Sequence, residues 1–313
     1  MGTKILKSAA TPSEFPKVGD WVAFTQYNSE SEAVIHSVLP RKTTLSRKGV
    51  DPRPGVSSSV EQIIATNIDI ICIVQSADQN FNIRRLERYL AMALAANCQP
   101  LVILNKIDLN SQWEDLVRKI KSRLTVDIPI IAMSAKDSLG KDELLSYLKQ
   151  GTTSVFVGSS GVGKSSLINM LQEEDVLKVG EISETLGKGK HTTTHRELLQ
   201  LSSGGIVIDT PGMRELFMWD ADDAVDELFT PIVELSKACK FKNCSHTSEP
   251  GCAVIDALEN EEIDPDMYEH YLQLKGEQRK FSNKRKKVSP EKERHKRFSK
   301  QIRQVVRDKE RWY

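Results

Sequence analysis

The chain has 313 residues, 39% of them hydrophobic, which is enough to bury a sizeable core spread over two or three domains. The net charge of +1 conceals an uneven spread: from residue 279 to 313 there are 15 Lys and Arg against 4 Asp and Glu, a surplus of +11 that leaves −10 on residues 1–278. No apolar run approaches the ~18 residues of a membrane span and the N-terminus lacks a signal-peptide core, so a soluble cytoplasmic protein without membrane contact is expected.

Residues 17–49 alternate in the manner of strands ("VGDWVAFTQY", "EAVIHSVL") and then reach a basic turn, "PRKTTLSRKG", which together predict a small β module. "VDPRPGVSSS", residues 50–59, has the Pro, Gly and Ser of a linker. Strand and helix patterns then alternate over 68–157. "IDIICIVQS" is a buried strand, and "NIRRLERYLAMALAANC" an amphipathic helix with Leu86, Leu90 and Leu94 four residues apart. "PLVIL" and "IPIIAM" are strands, "SQWEDLVRKIKSRL" and "KDELLSYLKQ" helices, and "TSVFVG" a strand. This is the pattern of a mainly parallel sheet covered by helices. "KSSLINMLQ" adds a helix, "ELLQL" and "GIVIDT" add strands, and the chain beyond 222 is helical around a Cys/His cluster.

Asn105-Lys106-Ile107-Asp108 follows the strand "PLVIL". A carboxylate at Asp108 can accept two hydrogen bonds from the ring N–H and exocyclic amine of guanine, a donor pair that adenine lacks. Asn105 can hold the neighbouring loop, and Lys106 can lay its stem over the base. The tetrapeptide alone is ordinary after a strand. Ser134-Ala135-Lys136 at the end of the next strand adds weight, because a backbone N–H there can meet the guanine oxygen. The plainer alternative is two solvated loops.

Gly158-Ser159-Ser160-Gly161-Val162-Gly163-Lys164-Ser165 fits the phosphate-loop pattern G-x-x-x-x-G-K-[ST] without mismatch, between an apolar strand and a helix that continues with Ser166. The glycines let backbone N–H groups turn in around phosphates, Lys164 can reach the β and γ oxygens, Ser165 can ligate Mg²⁺, and the helix N-terminus adds its dipole. In "IDTPGMRE", Asp209 can hold Mg²⁺ through water and the Gly212 N–H can meet a γ-phosphate. "GKGKHTTTHRE" lies between these motifs. Thr193, or else Thr192 or Thr194, is a candidate for Mg²⁺ in the GTP state. Met213 stands where Ras-like enzymes carry a water-orienting Gln. His191 is the nearest candidate to substitute; a solvent-facing loop histidine is the alternative.

Cys72 and Cys98 read as reduced core residues. Cys239-x4-Cys244-x-His246-x5-Cys252 offers three thiolates and an imidazole, the donor set of one tetrahedral, structural Zn²⁺ with no open position.

With these motifs in this order, the chain resembles the RsgA (YjeQ) family of ribosome-small-subunit-dependent GTPases. The matching segments are "FNIRRLERYLAMA", "VILNKIDL", "GSSGVGKSSLIN", "GKGKHTTTH", "IDTPGMRE" and "CKFKNCSHTSEPGCAV", between about residues 61 and 256. The resemblance implies an α/β fold: a circularly permuted P-loop GTPase domain, in which the guanine selector precedes the phosphate loop, with an N-terminal OB-like β module and a C-terminal helical zinc-binding domain. It also implies late maturation of the small (30S) ribosomal subunit through rRNA binding and subunit-stimulated hydrolysis of GTP to GDP, and a part for His191 in hydrolysis. The domains expected are 1–59 (β module and linker), 60–221 (GTPase), 222–278 (zinc-binding) and 279–313 (a basic tail for rRNA phosphates). Only a short segment precedes "VGDWVAF", so a complete five-stranded OB barrel is not expected. A monomer is expected.

One alternative is a nucleotide-gated ribosome-binding module with negligible turnover, which Met213 favours. Another is an RNA-binding protein with a vestigial nucleotide fold, which the intact Lys164, Ser165, Asp209 and Asp108 oppose. The chain runs from Gly212 through "LFMWDADDAVDELF" into the zinc region with no strand between. A switch movement is therefore expected to act on that region through one short covalent path.

Overall fold

The computed structural model describes residues 14–27, 32–50, 59–172, 197–209 and 221–287. Strands β1 (Val22–Tyr27) and β2 (Glu32–Val38) pair antiparallel, as do β3 (Thr44–Val50) and β4 (Ser59–Thr66). Among the described residues these are two separate two-stranded sheets, not one barrel. Asp20 ties them together. Its carboxylate takes Arg41 in a fork at 2.8 Å on each oxygen and accepts from the Thr66 hydroxyl at 2.8 Å. Burial raises the Asp20 pKa, but the hydrogen bonds from Arg41, the Lys17 N–H and Thr66 outweigh it and hold the carboxyl below its usual range.

The 50–59 segment corrects the linker expectation. Val50 pairs with Ser59, so this stretch connects two strands of one hairpin, and β4 carries the β module across the boundary expected at residue 59. Pro, Gly and Ser mark a chain reversal in either setting, and composition cannot distinguish a hairpin connection from a domain linker.

The central sheet has six strands: β5 (Ile70–Ser76), β6 (Gln99–Asn105), β7 (Ile130–Ala132), β8 (Thr153–Val157), β9 (Glu197–Gln200) and β10 (Ile206–Asp209). Their spatial order is β7-β6-β5-β8-β10-β9, parallel except for the edge strand β9. The phosphate-loop strand β8 therefore sits mid-sheet beside β5, the first sheet strand in the chain. The selector half precedes the phosphate-loop half in sequence, yet the sheet closes without a gap.

Each inner strand is apolar on both faces, as a covered parallel sheet requires. Ile71 and Ile73 of β5 face one core, while Ile70, Cys72 and Val74 face the other, the two-residue period of a strand. Burial pushes the Cys72 thiol up and the Cys98 thiol to about 11, so both stay protonated.

Helices α1 (Ile83–Ala95), α2 (Trp113–Arg123), α3 (Lys141–Tyr147) and α4 (Lys164–Gln172) connect the strands. Asn82 caps α1, its side chain accepting from the Arg85 N–H at 2.9 Å.

Beyond residue 221 come α5 (Asp222–Leu228), α6 (Thr230–Ser236), α7 (Ala253–Glu259) and α8 (Pro265–Lys287). Met267, His270, Tyr271, Leu274 and Gln278 are buried at helical spacing along α8, which continues past residue 278, where the tail was expected to begin. These helices share one hydrophobic cluster with α1: Leu86 and Leu90 belong to the same core as Val225, Phe229, Ile232 and Leu274. Charges reinforce the seam. Buried Glu87 of α1 accepts from Arg123 at 2.6 Å and meets His270 Nδ1 at 2.5 Å, and Arg88 pairs with Glu277 at 2.5 Å. The helical region that carries the Cys/His cluster is therefore packed along α1 as well as connected to the sheet through the chain. This corrects the expectation of a single covalent path, because sequence shows connectivity and not what packs on what.

Candidate guanine-nucleotide and metal sites

Parallel register brings the motifs to one edge of the sheet. Ser76 pairs with Asn105, Leu104 with Ala132, Ile73 with Val157, and Asp209 with Phe156. The segments that follow all leave the carboxyl edge, where parallel α/β sheets carry their ligand sites.

Asn105 is 1% exposed and joins two of these segments. Its Nδ2 donates to the Val162 carbonyl at 2.9 Å, and its Oδ1 accepts from the Ala135 N–H at 3.1 Å. The selector, the phosphate loop and the Ser134-Ala135 loop are thereby locked together, although Val162 lies 57 residues from Asn105. Gly163 makes this approach possible: a Cβ there would stand 2.3 Å from Asn105 Nδ2, on a backbone at φ +97°.

Ser134 Oγ lies 2.8 Å from Asp108 Oδ1 and 3.0 Å from Asp137 Oδ2, so its single O–H proton is shared between the two carboxylates. Asp108 itself is exposed, open to a ligand from solvent. Lys106 sits in the left-handed region at φ 62°, and its ammonium reaches Asp78 at 3.1 Å.

The phosphate loop turns tightly out of β8. A Cβ on Gly158 would lie 2.5 Å from the Val74 carbonyl. Lys164 folds back over the loop, its ammonium 2.8 Å from the Gly158 carbonyl and 2.7 Å from that of Ser159. Ser165 and Ser166 lie half-buried in the first turn of α4, where backbone N–H groups lack a carbonyl partner within the helix. Asn80 meets this loop from the β5–α1 connection: its Nδ2 donates to the Ser160 carbonyl at 3.1 Å, and Arg85 holds its Oδ1 at 2.9 Å. Asp78 and Asn80 belong to no motif read in the sequence. Their one signal there was position, at the carboxyl end of the first sheet strand.

His191, Thr192, Thr193, Thr194, Gly212 and Met213 lie outside the described residues. Asp209 is the last residue of β10, at the same sheet edge as the phosphate loop.

Cys239, Cys244, His246 and Cys252 converge, with one donor atom of each within 4.8 Å of the others. A tetrahedral Zn²⁺, with Zn–S about 2.3 Å and Zn–N about 2.0 Å, requires S···S edges near 3.8 Å and S···N edges near 3.5 Å. The Cys239–Cys252 separation is 3.8 Å, and the sulfurs of Cys252 and Cys239 lie 3.5 and 3.6 Å from His246 Nδ1. The three edges among Cys239, His246 and Cys252 match those dimensions, and Cys244 completes a donor set suited to a tetrahedral metal ion. Glu249 braces the intervening loop by accepting from the N–H groups of Ser245, Thr247 and Ser248. Hydrogen bonds from Ser245, side chain and backbone, and from the Ser248 N–H hold its carboxyl well below the usual carboxylate range. The Tyr268 hydroxyl of α8 donates to the His246 carbonyl at 2.6 Å.

The family model described as RsgA GTPase matches residues 38–219, and one described as 50S ribosome-binding GTPase matches residues 153–289. The chain is 42% identical over 285 residues to the small ribosomal subunit biogenesis GTPase RsgA of Opitutus terrae, covering 88% of this chain and 76% of that one. Among solved structures it resembles YjeQ from Thermotoga maritima, with TM-score 0.58 and 30% identity over 84% of each chain. It also resembles YloQ, described as a circularly permuted GTPase, with TM-score 0.56 and 28% identity over 89% of this chain and 85% of that one.

Proposed function

The chain belongs to the RsgA GTPase family, and on that premise we propose that its GTP cycle serves the biogenesis of the small ribosomal subunit. As a member it is a GTP hydrolase on a circularly permuted GTPase fold. The observation that carries the reading of the site is the Asn105 side chain, which ties the selector to both the phosphate loop and the Ser134-Ala135 loop. Three segments far apart in the chain thus become one cradle for one ligand.

In this reading Asp108 accepts from the guanine edge, the Ala135 N–H faces the guanine oxygen, and Lys106 lies against the base. Backbone N–H groups of residues 158–166 surround the β- and γ-phosphates, and Lys164 exchanges its two loop carbonyls for phosphate oxygens. That exchange costs the chain little, since the ammonium already stands at the loop. The Mg²⁺ that GTPases use would supply charge neutralisation at the phosphates when bound. Ser165 and Thr193, or a neighbouring threonine, would hold it, with Asp209 acting through water. The Gly212 N–H meets the γ-phosphate, and His191 takes the role of orienting the attacking water that Met213 cannot fill.

The Cys₃His cluster takes one structural Zn²⁺, which fixes the loop carrying Phe241. That ring is 42% exposed and flanked by Lys240 and Lys242, a pairing suited to RNA, where phosphates take charge and bases take stacking. Exposed Trp21 and Phe24 offer similar platforms on the β module. rRNA of the small subunit is the partner this chemistry fits, bound by a monomer in the cytoplasm; among the described residues no helix is long and apolar enough to cross a membrane. Sedimentation of the protein with purified small subunits tests the reading. Co-migration should be stronger with a non-hydrolysable GTP analogue than with GDP; equal or absent co-migration in both states would count against it.

A further inference from the structure

The β5–α1 connection meets the selector through backbone at Ala77, whose N–H donates to the Asn105 carbonyl at 2.8 Å, and through a side chain at Asp78. Asp78 Oδ2 holds the Lys106 ammonium at 3.1 Å, with the two side chains 27% and 20% exposed. The other carboxylate oxygen is used differently: Oδ1 accepts from the Ser76 hydroxyl at 2.6 Å and from the Asn80 N–H at 2.9 Å. The turn thus orients the carboxylate, leaving Oδ2 aimed at the lysine. Burial raises the Asp78 pKa, but the hydrogen bonds from Ser76, Asn80 and Lys106 outweigh it, so the group stays ionised at neutral pH.

Lys106 is fixed at its other end too. Its backbone is left-handed between buried Asn105 and Ile107, and its Cε lies 4.0 Å from where a Gly163 Cβ would be. The stem therefore runs from the selector past the phosphate loop with both ends held.

We propose that Asp78 is a positioning residue of the guanine-nucleotide site, holding the Lys106 ammonium so that the lysine stem is already placed against the base when nucleotide arrives. The inference rests on the reading of residues 105–108 as the guanine selector. Without Asp78 the lysine has to be ordered during binding. Immobilising one such flexible side chain in advance is worth about three- to tenfold in affinity. The contact serves the base and not the phosphates, so the factor is the same for guanosine, GDP and GTP.

Asp78→Asn isolates this role. The amide keeps an oxygen for Ser76 and Asn80 and puts an NH₂ group, which cannot accept from an ammonium, where Oδ2 was. Dissociation constants for guanosine, GDP and a non-hydrolysable GTP analogue are measured for the wild-type chain, Asp78→Asn, Lys106→Met and the double variant, with melting temperatures of the nucleotide-free proteins. Asp78→Asn should raise all three constants by about three- to tenfold at an unchanged melting temperature. The double variant should bind no more weakly than Lys106→Met alone, because Asp78 acts through that lysine. Wild-type affinity in Asp78→Asn, a loss confined to the triphosphate, or additive losses in the double variant would overturn the inference. If Lys106→Met and Asp108→Asn also bind like wild type, the selector reading fails, and the inference fails with it. Should Asp78→Asn melt early, Asp78→Ser keeps a turn-forming acceptor and is judged by the same outcomes.

Discussion

Truncating Asn105 to alanine removes two hydrogen bonds at once. The Val162 carbonyl loses its donor and the Ala135 N–H loses its acceptor, at a position 1% exposed. A buried group left without its partner costs about 1–3 kcal/mol, so the two orphaned groups together come to about 2–6 kcal/mol. Part of this is lost in the free protein, where the loops relax, and appears as lower stability. The rest is lost when nucleotide requires the loops in register again. We expect GDP and GTP affinity to fall by about tenfold to several hundredfold, with a modest drop in the urea midpoint. Asn105→Asp sharpens the test. It keeps the acceptor for Ala135 and turns a carboxylate toward the Val162 carbonyl, so it should disturb the phosphate loop while sparing the 134–139 loop. Calorimetric titration with GDP, together with urea unfolding, reads both parts. If Asn105→Ala matches the wild type within twofold in affinity and also in unfolding midpoint, the side chain does not join the loops and the account of the cradle is wrong.

Other perturbations have equally definite outcomes. Metal analysis of the purified chain should find one zinc, and Cys244→Ala should abolish it and loosen the 239–252 loop while GDP binding survives; wild-type protein free of zinc would exclude the structural-zinc reading. Because the folded-state pKa of Asp20 is depressed, its contribution to stability is present above the ordinary carboxylate range and is lost as pH falls through the folded value. Asp20→Asn should therefore be less stable than wild type at neutral pH, with the difference closing below about pH 4 in acid unfolding curves; a gap unchanged at low pH would remove the Arg41 pairing as its cause. Deleting residues 288–313, which lie outside the described part of the chain, should weaken binding to small subunits and flatten its salt dependence. Superimposable salt curves would take RNA binding away from the tail.

The fold class was legible because alternating strand and helix patterns with fully apolar strands admit few arrangements. The motif segments stood out because a phosphate loop needs glycines at fixed spacing, and Gly163 shows why: its missing Cβ leaves room for the Asn105 amide. Three features were not legible. The 50–59 stretch carries reversal chemistry that suits a linker as well as a hairpin. Asp78 reaches Lys106, and Asn80 reaches Ser159 and Ser160, across the fold, and nothing in "SADQN" marks those residues. The seam between α1 and α8 rests on pairs such as Arg84 with Asp266 and Glu87 with His270, separated by 182 and 183 residues. Periodicity reports which face of a helix is apolar, not which helix covers it. Glu87 illustrates the limit: on sequence it is one more charge on an amphipathic helix, while in the fold it is 2% exposed, with Arg123 and His270 as its partners.

The most direct test of the central claim is phosphate release from GTP measured across a titration of purified small ribosomal subunits, with large subunits and the Lys164→Ala variant in parallel. A permuted GTPase that serves small-subunit biogenesis should hydrolyse GTP slowly alone and accelerate saturably with small subunits. It should not respond to large subunits, and the lysine variant should show no acceleration. A rate that is indifferent to small subunits, or that answers equally to large ones, would contradict the account.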